Sequence, residues 1–363
     1  MTDPAEDLAA DPAEDLAADP AEDLAAGPAE DLAAGPAEDL AAGLARALDD
    51  AEPGAPPASV HLCGSVSAGA TRRTVLVDIH RGDVSTPAVA QLDTSFMRTV
   101  PSSDEARLIT LAGAAGVPVA EPLLATDDTS YVGVPFQLSR RVEGLSVPRQ
   151  ILRAAGERPG FGSGLVRQCG EALARLHAID PEVAPPSLPR LADPSPPVAH
   201  EAILRSLAAG LPASPVIVLG LRWLGRHRPA PAPLALVHGD LRNGNLIVDE
   251  TGLVAVLDWE LAHVGDPMED LAWMCLRCWR FRADELDAGG LAPLDELVAA
   301  YEAAGGTWRE DAFRWWTVAR TIWWCLVLGL QAQAFCSGAS SSLVLAASGR
   351  RVAELEYDAL SLI

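Results

Sequence analysis

Val237-His238-Gly239-Asp240-Leu241-Arg242-Asn243-Gly244-Asn245-Leu246-Ile247-Val248-Asp249 runs into Leu257-Asp258-Trp259-Glu260 a few residues later. The apolar segment Leu234 to Val237 predicts a strand that delivers His238-Gly239-Asp240 onto a loop. Leu246 to Val248 and Leu253 to Leu257 read as two further strands. Asp249-Glu250-Thr251-Gly252 joins them as a hairpin turn, with Gly252 where a positive φ is wanted. A hairpin returns the chain, so Asp258 is expected beside Asn245. An Asp, an Asn five residues on and a second Asp thirteen beyond that is the set phosphoryl transfer needs. One carboxylate orients and deprotonates a hydroxyl; an amide oxygen and another carboxylate hold Mg²⁺ on the phosphates.

The 363 residues suffice for two lobes with separate cores, and 49% are apolar. Formal charge is −23. Residues 1–42 hold 13 Asp or Glu and no base, leaving 37 acids against 27 bases in the rest. Such a chain is a poor nucleic-acid binder, because phosphate contacts need clustered bases. All 27 bases are Arg; the chain has no Lys. Of the six Cys, only Cys275 and Cys278 are close, and no second pair or His partner follows at zinc-site spacing. Both are expected as buried core thiols. With no leader peptide or disulfide pattern, a reducing cytoplasm is the expected compartment. The most apolar run, Ile322 to Leu330, is too short to span a membrane and reads as a buried helix.

Residues 3–42 are five copies of an octapeptide, Asp-Pro-Ala-Glu-Asp-Leu-Ala-Ala three times and twice with Gly in the first place. A Pro every eight residues interrupts helices, and one Leu per repeat cannot build a core. A disordered acidic repeat tail with no identifiable partner is expected over 1–56, with helical character at Gly43 to Asp50 and a linker at Glu52 to Pro57. Strands are expected at His61 to Ser65, Thr74 to Ile79 and Ser95 to Thr99, around a small-residue turn, Gly64 to Thr71. A helix is expected from Ser103 to about Ala115, capped by Ser102 or Ser103. Val134 to Val142 should leave this small lobe through a hinge at Arg140 to Val142. Beyond Gly144 the pattern turns helical, with candidate helices at Gly170 to Ala178, Val216 to His227 and Asp266 to Phe281, and a Pro-rich loop over Asp180 to Pro197. Eight of the nine Trp follow residue 258; core packing is their default, with one or two lining a pocket. Arg277 and Arg280 share one helix face, either solvated or an anion site. Taken alone, Arg98 and Glu105 read as a surface base and an acid favoured by a helix dipole.

With these motifs in place, the chain resembles the aminoglycoside phosphotransferase family of small-molecule kinases, and within it the branch related to the kinase-like domains fused to some acyl-CoA dehydrogenases. The likeness covers about residues 58–360. It rests on His238-Gly239-Asp240, Asn245, Asp258-Trp259-Glu260 and Gly265-Asp266-Pro267-Met268-Glu269-Asp270-Leu271-Ala272-Trp273. Gly116-Val117-Pro118-Val119, Val142-Glu143-Gly144 and Leu173 to His177 add to it. The resemblance implies an α+β protein-kinase-like fold: a small β-rich lobe at 57–143 that binds nucleotide, and a larger, mainly helical lobe at 144–363 that binds substrate. It further implies ATP and Mg²⁺ as cofactors, Asp240 as catalytic base, Asn245 and Asp258 as metal ligands, and a mainly structural His238. By the same likeness Gly69 and Thr71 belong to the nucleotide-covering turn. Arg98 stands where the family often has a phosphate-gripping Lys, Glu105 where it has the paired acid, and Arg141 and Val142 at the adenine edge. The expected partner is a hydroxyl-bearing small molecule, an amino sugar or a hydroxyacyl thioester, with no nucleic acid and no membrane. A non-catalytic nucleotide-binding or scaffold module is the alternative. A protein kinase is disfavoured by Gly239, where those enzymes usually carry Arg, and by the want of an activation segment.

Overall fold

The computed structural model describes residues 37–66, 72–93, 100–192 and 195–363. It opens on helix α1 (Ala37–Ala51), followed by strands β1 (Ala58–Val66), β2 (Arg72–Arg81) and β3 (Val84–Asp93), helix α2 (Ser102–Ala114), and strands β4 (Pro122–Thr126) and β5 (Phe136–Arg140). The five strands form one antiparallel sheet in the order β1-β2-β3-β5-β4. Its core is the set of inward residues the alternation in β2 and β3 dictates. Val75, Val77 and Ile79 pack with Ala88, Ala90, Leu92, Phe136 and Leu138.

Helix α1 corrects the expected extent of the tail. Leu40, Leu44, Ala47 and Leu48 are all buried in the sheet's core. Leu40 belongs to the fifth octapeptide. On its own it buries little, but with Leu44 and Leu48 it completes an i, i+4, i+8 stripe. The small lobe's core therefore takes in described residues ahead of the expected boundary at 57. Strand β3 was not foreseen either, because Ala and Pro dilute its β-branched pattern. The strand expected at Ser95 to Thr99 lies outside the described residues.

The larger part is mainly helical: α3 (Pro148–Glu157), α4 (Phe161–His177), α5 (Pro196–Ala209), α6 (Pro215–Arg226), α7 (Met268–Met274), α8 (Leu294–Ala303), α9 (Glu310–Cys336), α10 (Leu343–Ser348) and α11 (Val352–Leu362). Between α6 and α7 lie the short strands β6 (Ala235–Val237), β7 (Leu246–Asp249), β8 (Gly252–Val256) and β9 (His263–Gly265). They pair as two antiparallel ribbons, β6 with β9 and β7 with β8. The Pro-rich stretch 180–197 ends in α5, whose first turn accepts Pro196 and Pro197 because N-terminal positions need no intrahelical N–H. The helix expected to reach Phe281 stops at Met274 and continues as a short 3₁₀ turn, Arg277–Trp279.

Helix α2 sits between the two lobes. Its Leu108, Ile109 and Ala112 belong to the large lobe's core cluster, although the chain places α2 among the strands. Two backbone bridges, Leu145 with Val248 and Val119 with Val256, tie the connecting segments to the β7–β8 ribbon. Gly144 makes the first possible. Its φ is 151°, and a Cβ there would meet the Val248 carbonyl oxygen at 2.6 Å. Among the described residues no helix is long and apolar enough to cross a membrane.

Candidate active site

Strand β6 ends at Val237 and the loop that follows is held from below by Asp270, in the first turn of α7. One Asp270 oxygen accepts the His238 amide at 2.8 Å, and the other accepts the Gly239 amide at 2.8 Å. His177 of α4 adds Nε2 at 3.1 Å and is itself held through Nδ1 by the Tyr301 hydroxyl. Burial alone would raise the Asp270 carboxyl, but His177 and these amide donors keep it below the usual range. Gly239 adopts φ +79°, and a Cβ there would lie 2.5 Å from the Leu261 carbonyl oxygen. A side chain is excluded on both grounds. His238 is buried against the Trp259 ring, and its Nδ1 accepts the Asp240 amide at 3.1 Å. Burial pushes its imidazole pKa down, so it is a neutral strut.

Asp240 is thereby presented with both oxygens engaged. Its Oδ1 accepts Trp273 Nε1 at 2.6 Å and Arg242 Nε at 3.1 Å; its Oδ2 accepts Asn245 Nδ2 at 2.7 Å. Asn245 Nδ2 also reaches the Asp240 carbonyl oxygen at 2.9 Å. With its amide nitrogen spent, Asn245 keeps its oxygen available. The β7–β8 ribbon does what the sequence requires of it. Leu246 pairs with Val256, and the Leu257 amide donates to the Asn245 carbonyl at 2.8 Å, so the next residue, Asp258, comes back beside the loop. Asp258 has φ +64°, a left-handed conformation that few non-glycine residues adopt. Its pKa is pushed up to about 7 by loss of solvent and by the neighbouring Glu260 and Asp240 carboxylates, with Arg72 and Arg242 opposing. Such crowding of negative charge is relieved by a cation. The Asp258 carboxylate and the Asn245 amide oxygen are hard oxygen donors of the kind that would suit Mg²⁺. No cluster of three or more His, Cys, Asp or Glu fit for a metal occurs among the described residues.

Of the other expected site residues, Gly69, Thr71 and Arg98 lie outside the described residues. Glu105 is buried in α2 and pairs with Arg72, the first residue of β2. Arg141 follows β5; its amide donates to the Pro87 carbonyl and its side chain pairs with Glu143. Val142 lies next to it at the hinge. Arg277 and Arg280 do not form an anion site. Arg277 is taken up by Asp284 and Asp358, and Arg280 by Asp287 and the carbonyls of Cys275 and Asp284. Cys275 and Cys278 are buried, with burial pushing both thiols up to about 12.

Sequence reasoning missed four contributors. Trp273, read as core, is buried yet donates to Asp240. Arg242 bridges Asp240 and the Trp279 ring, its guanidinium 4.3 Å from the ring centroid. Arg320 of α9 is buried between the Trp273 and Trp323 rings, pairs with Glu269, and donates to the Gly239 carbonyl at 2.7 Å. Arg72 is the fourth. The only available signals were the position of Arg242 two residues after Asp240 and that of Trp273 three after Asp270. Arg320 lies 80 residues from the loop it supports.

Residues 64–316 match the phosphotransferase enzyme family, and the chain belongs to it. Mouse acyl-CoA dehydrogenase family member 10 is 29% identical over 209 residues, a stretch covering 54% of this chain and 19% of that protein. The chain thus spans about a fifth of the length of that curated relative. The apoenzyme of a macrolide 2′-phosphotransferase from Brachybacterium faecium shares the fold, with TM-score 0.58 and 21% identity over 88% of this chain and 97% of that one. Spectinomycin phosphotransferase, solved with ADP and spectinomycin, shares it with TM-score 0.56 and 13% identity over 88% and 97%.

Proposed function

We propose that this protein transfers the γ-phosphoryl group of ATP, with Mg²⁺, to a hydroxyl group of a small molecule. The observation that carries this reading is the Asp240 carboxylate, fixed by Trp273, Arg242 and Asn245, with Asn245 and Asp258 offering oxygens beside it. Of the two Asp240 oxygens, Oδ1 already takes two donors and Oδ2 one. The lone pair left on Oδ2 is the natural acceptor for a substrate hydroxyl proton. The hydroxyl oxygen then attacks the γ-phosphorus, the bond to the β-phosphate oxygen breaks, ADP leaves, and the proton resides on Asp240. When bound at Asn245 and Asp258, Mg²⁺ supplies neutralisation of the charge on the β- and γ-phosphates. The turn with Gly69 and Thr71 would cover the phosphates, Arg98 and Glu105 would flank them, and the hinge at Arg141 and Val142 would meet the adenine. Support comes from family membership and from the ADP held by a fold relative.

Between an amino sugar and a hydroxyacyl thioester as acceptor, Arg242 and the tryptophans near Asp240 suit the thioester, while the Asp258 and Glu260 carboxylates suit the amino sugar. A guanidinium, Arg242, and a tryptophan cluster of Trp273, Trp279, Trp323 and Trp324 flank the base. The test is phosphate transfer from ATP to a panel of hydroxyl compounds, amino sugars and hydroxyacyl thioesters included, by the native protein and Asp240→Asn. The variant should lose roughly 10²–10⁴-fold in turnover, the range for a positioned general base, and keep its nucleotide affinity. Undiminished turnover in Asp240→Asn removes the reading. A module that binds nucleotide without turnover, suggested by a chain with no Lys, would instead melt at higher temperature with ATP and Mg²⁺ and phosphorylate nothing.

A further inference from the structure

We propose that Arg72, on β2, is a phosphate-binding residue of the nucleotide site, in the role for which sequence reasoning favours Arg98. The inference rests on the phosphotransfer reading for the identity of its ligand.

Three observations carry it. First, in the sheet register Arg72 lies directly opposite Asp93, the last residue of β3. At this corner β3 therefore supplies a carboxylate, and the cation comes from β2. Second, the guanidinium is fixed by two acids from two other elements. Its Nε donates to Asp93 Oδ1 at 3.2 Å, and one terminal nitrogen, Nη2, donates to Glu105 of α2. The side chain is 8% exposed and Glu105 only 1%. These contacts use two of its three nitrogens. The third, Nη1, has no hydrogen-bond partner among the described residues. Third, the charge reaches across the cleft. Burial would lower the Arg72 pKa, but Glu105, Asp93 and then Asp258 raise it above the ordinary value. Asp258 is the large-lobe carboxylate assigned to the metal. A guanidinium held by Glu105 and within electrostatic reach of Asp258, with one donor edge open, is placed to meet a phosphate near the proposed metal ligands.

A purely structural role explains less. Tying β2 to α2 needs one ion pair, and a buried Arg would then be expected to satisfy all three nitrogens. Here two acids lock the planar fork and leave an edge unused, which is the arrangement for binding an anion with little reorganisation. Helix α2 packs with the large lobe's core while β2 belongs to the sheet. Arg72 therefore joins the residue that follows the small-residue turn to a helix anchored on the catalytic side. A phosphate bound there would sense both.

The experiment is binding of a fluorescent ADP analogue, with and without Mg²⁺, followed by ATP turnover, for Arg72→Ala, Arg72→Lys and Arg98→Ala. A fourth variant combines Arg72→Gln with Asp93→Asn, removing one charge of each sign so that the net charge of the corner is unchanged. Melting curves identify temperatures at which each variant is folded. Arg72→Ala and the double variant should weaken ADP binding at least about tenfold in the absence of Mg²⁺, and Arg72→Lys should recover part of it, since a point charge replaces a fork. Unchanged ADP affinity in the folded double variant overturns the proposal, as does a loss seen only in Arg98→Ala. A native protein that binds ADP through Arg72 yet transfers no phosphate sinks the phosphotransfer reading and leaves this inference standing. A native protein that binds no nucleotide sinks both.

Discussion

The loop from His238 to Asn245 and the corner formed by Arg72, Asp93 and Glu105 are built by opposite means. The loop is local in sequence: Asp240, Arg242 and Asn245 hydrogen-bond among themselves within six residues. It is then overdetermined from outside by Asp270, Trp273 and Arg320. The corner has no local motif. Its three charges come from β2, β3 and α2, and Arg72 and Glu105 are 33 positions apart. Redundant fixing suits the proposed proton acceptor, which must stay in place, whereas the proposed phosphate grip needs only two anchors and an open edge.

The largest expected effect is on the loop. Asp270→Ala removes the acceptor for two backbone amides and His177, all buried, and should cost on the order of 3–5 kcal/mol, as for a broken buried ionic network. Urea unfolding measures it, and a loss below about 1 kcal/mol would show that the loop is not hung from α7. Next comes the small lobe, where Leu44→Ala in α1 should cost about 2–5 kcal/mol. Truncation before residue 35 should leave the melting temperature nearly unchanged, whereas truncation through residue 51 should lower it sharply. Equal melting curves for the two truncations would return α1 to the tail. A smaller effect separates positioning from folding. Trp273→Phe keeps an aromatic side chain in the cluster but removes the donor to Asp240, a charged hydrogen bond worth about 1.5–3 kcal/mol, so turnover of the folded variant should fall roughly 10- to 100-fold while its nucleotide affinity changes little. Full turnover would reduce Trp273 to packing.

The smallest effect is on the acid limb of stability. Burial would raise the Glu269 carboxyl, but His263 and Arg320 bring it down to about 2. A carboxyl lowered in the fold contributes stability above its unfolded pKa, near ~4.3. That contribution is lost as pH falls through about 2. Glu269→Gln should therefore flatten the stability profile between about pH 4.5 and pH 2 relative to the native protein, read by urea midpoints across that range. An unchanged slope would detach Glu269 from the pair with His263 and Arg320 that underlies the loop.

What was legible in the residues tracks sequence separation. The Asp240–Asn245–Asp258 set could be read because a loop and one hairpin bring it together, and Leu257 donating to Asn245 completes the return. Buried Cys275 and Cys278 were legible from their apolar surroundings. The helix α1 was not, since Leu40 is one residue of a repeat until Leu44 and Leu48 lengthen its stripe. Nor was the fate of Arg277 and Arg280, whose spacing on a helix face says nothing of Asp358 in α11, which neutralises Arg277.

From the chain alone came the kinase-like fold, the family motif and the meeting of Asp240, Asn245 and Asp258, because short-range backbone geometry converts spacing into proximity. The folded molecule alone decided that Trp273 and Arg320 support the Asp240 loop, that α1 packs with the small lobe, and that Glu105 is held by Arg72. Each of those depends on segments tens of residues apart meeting in a packed interior. Such meetings are set by the burial of whole faces and the pairing of buried charges, which no local spacing encodes.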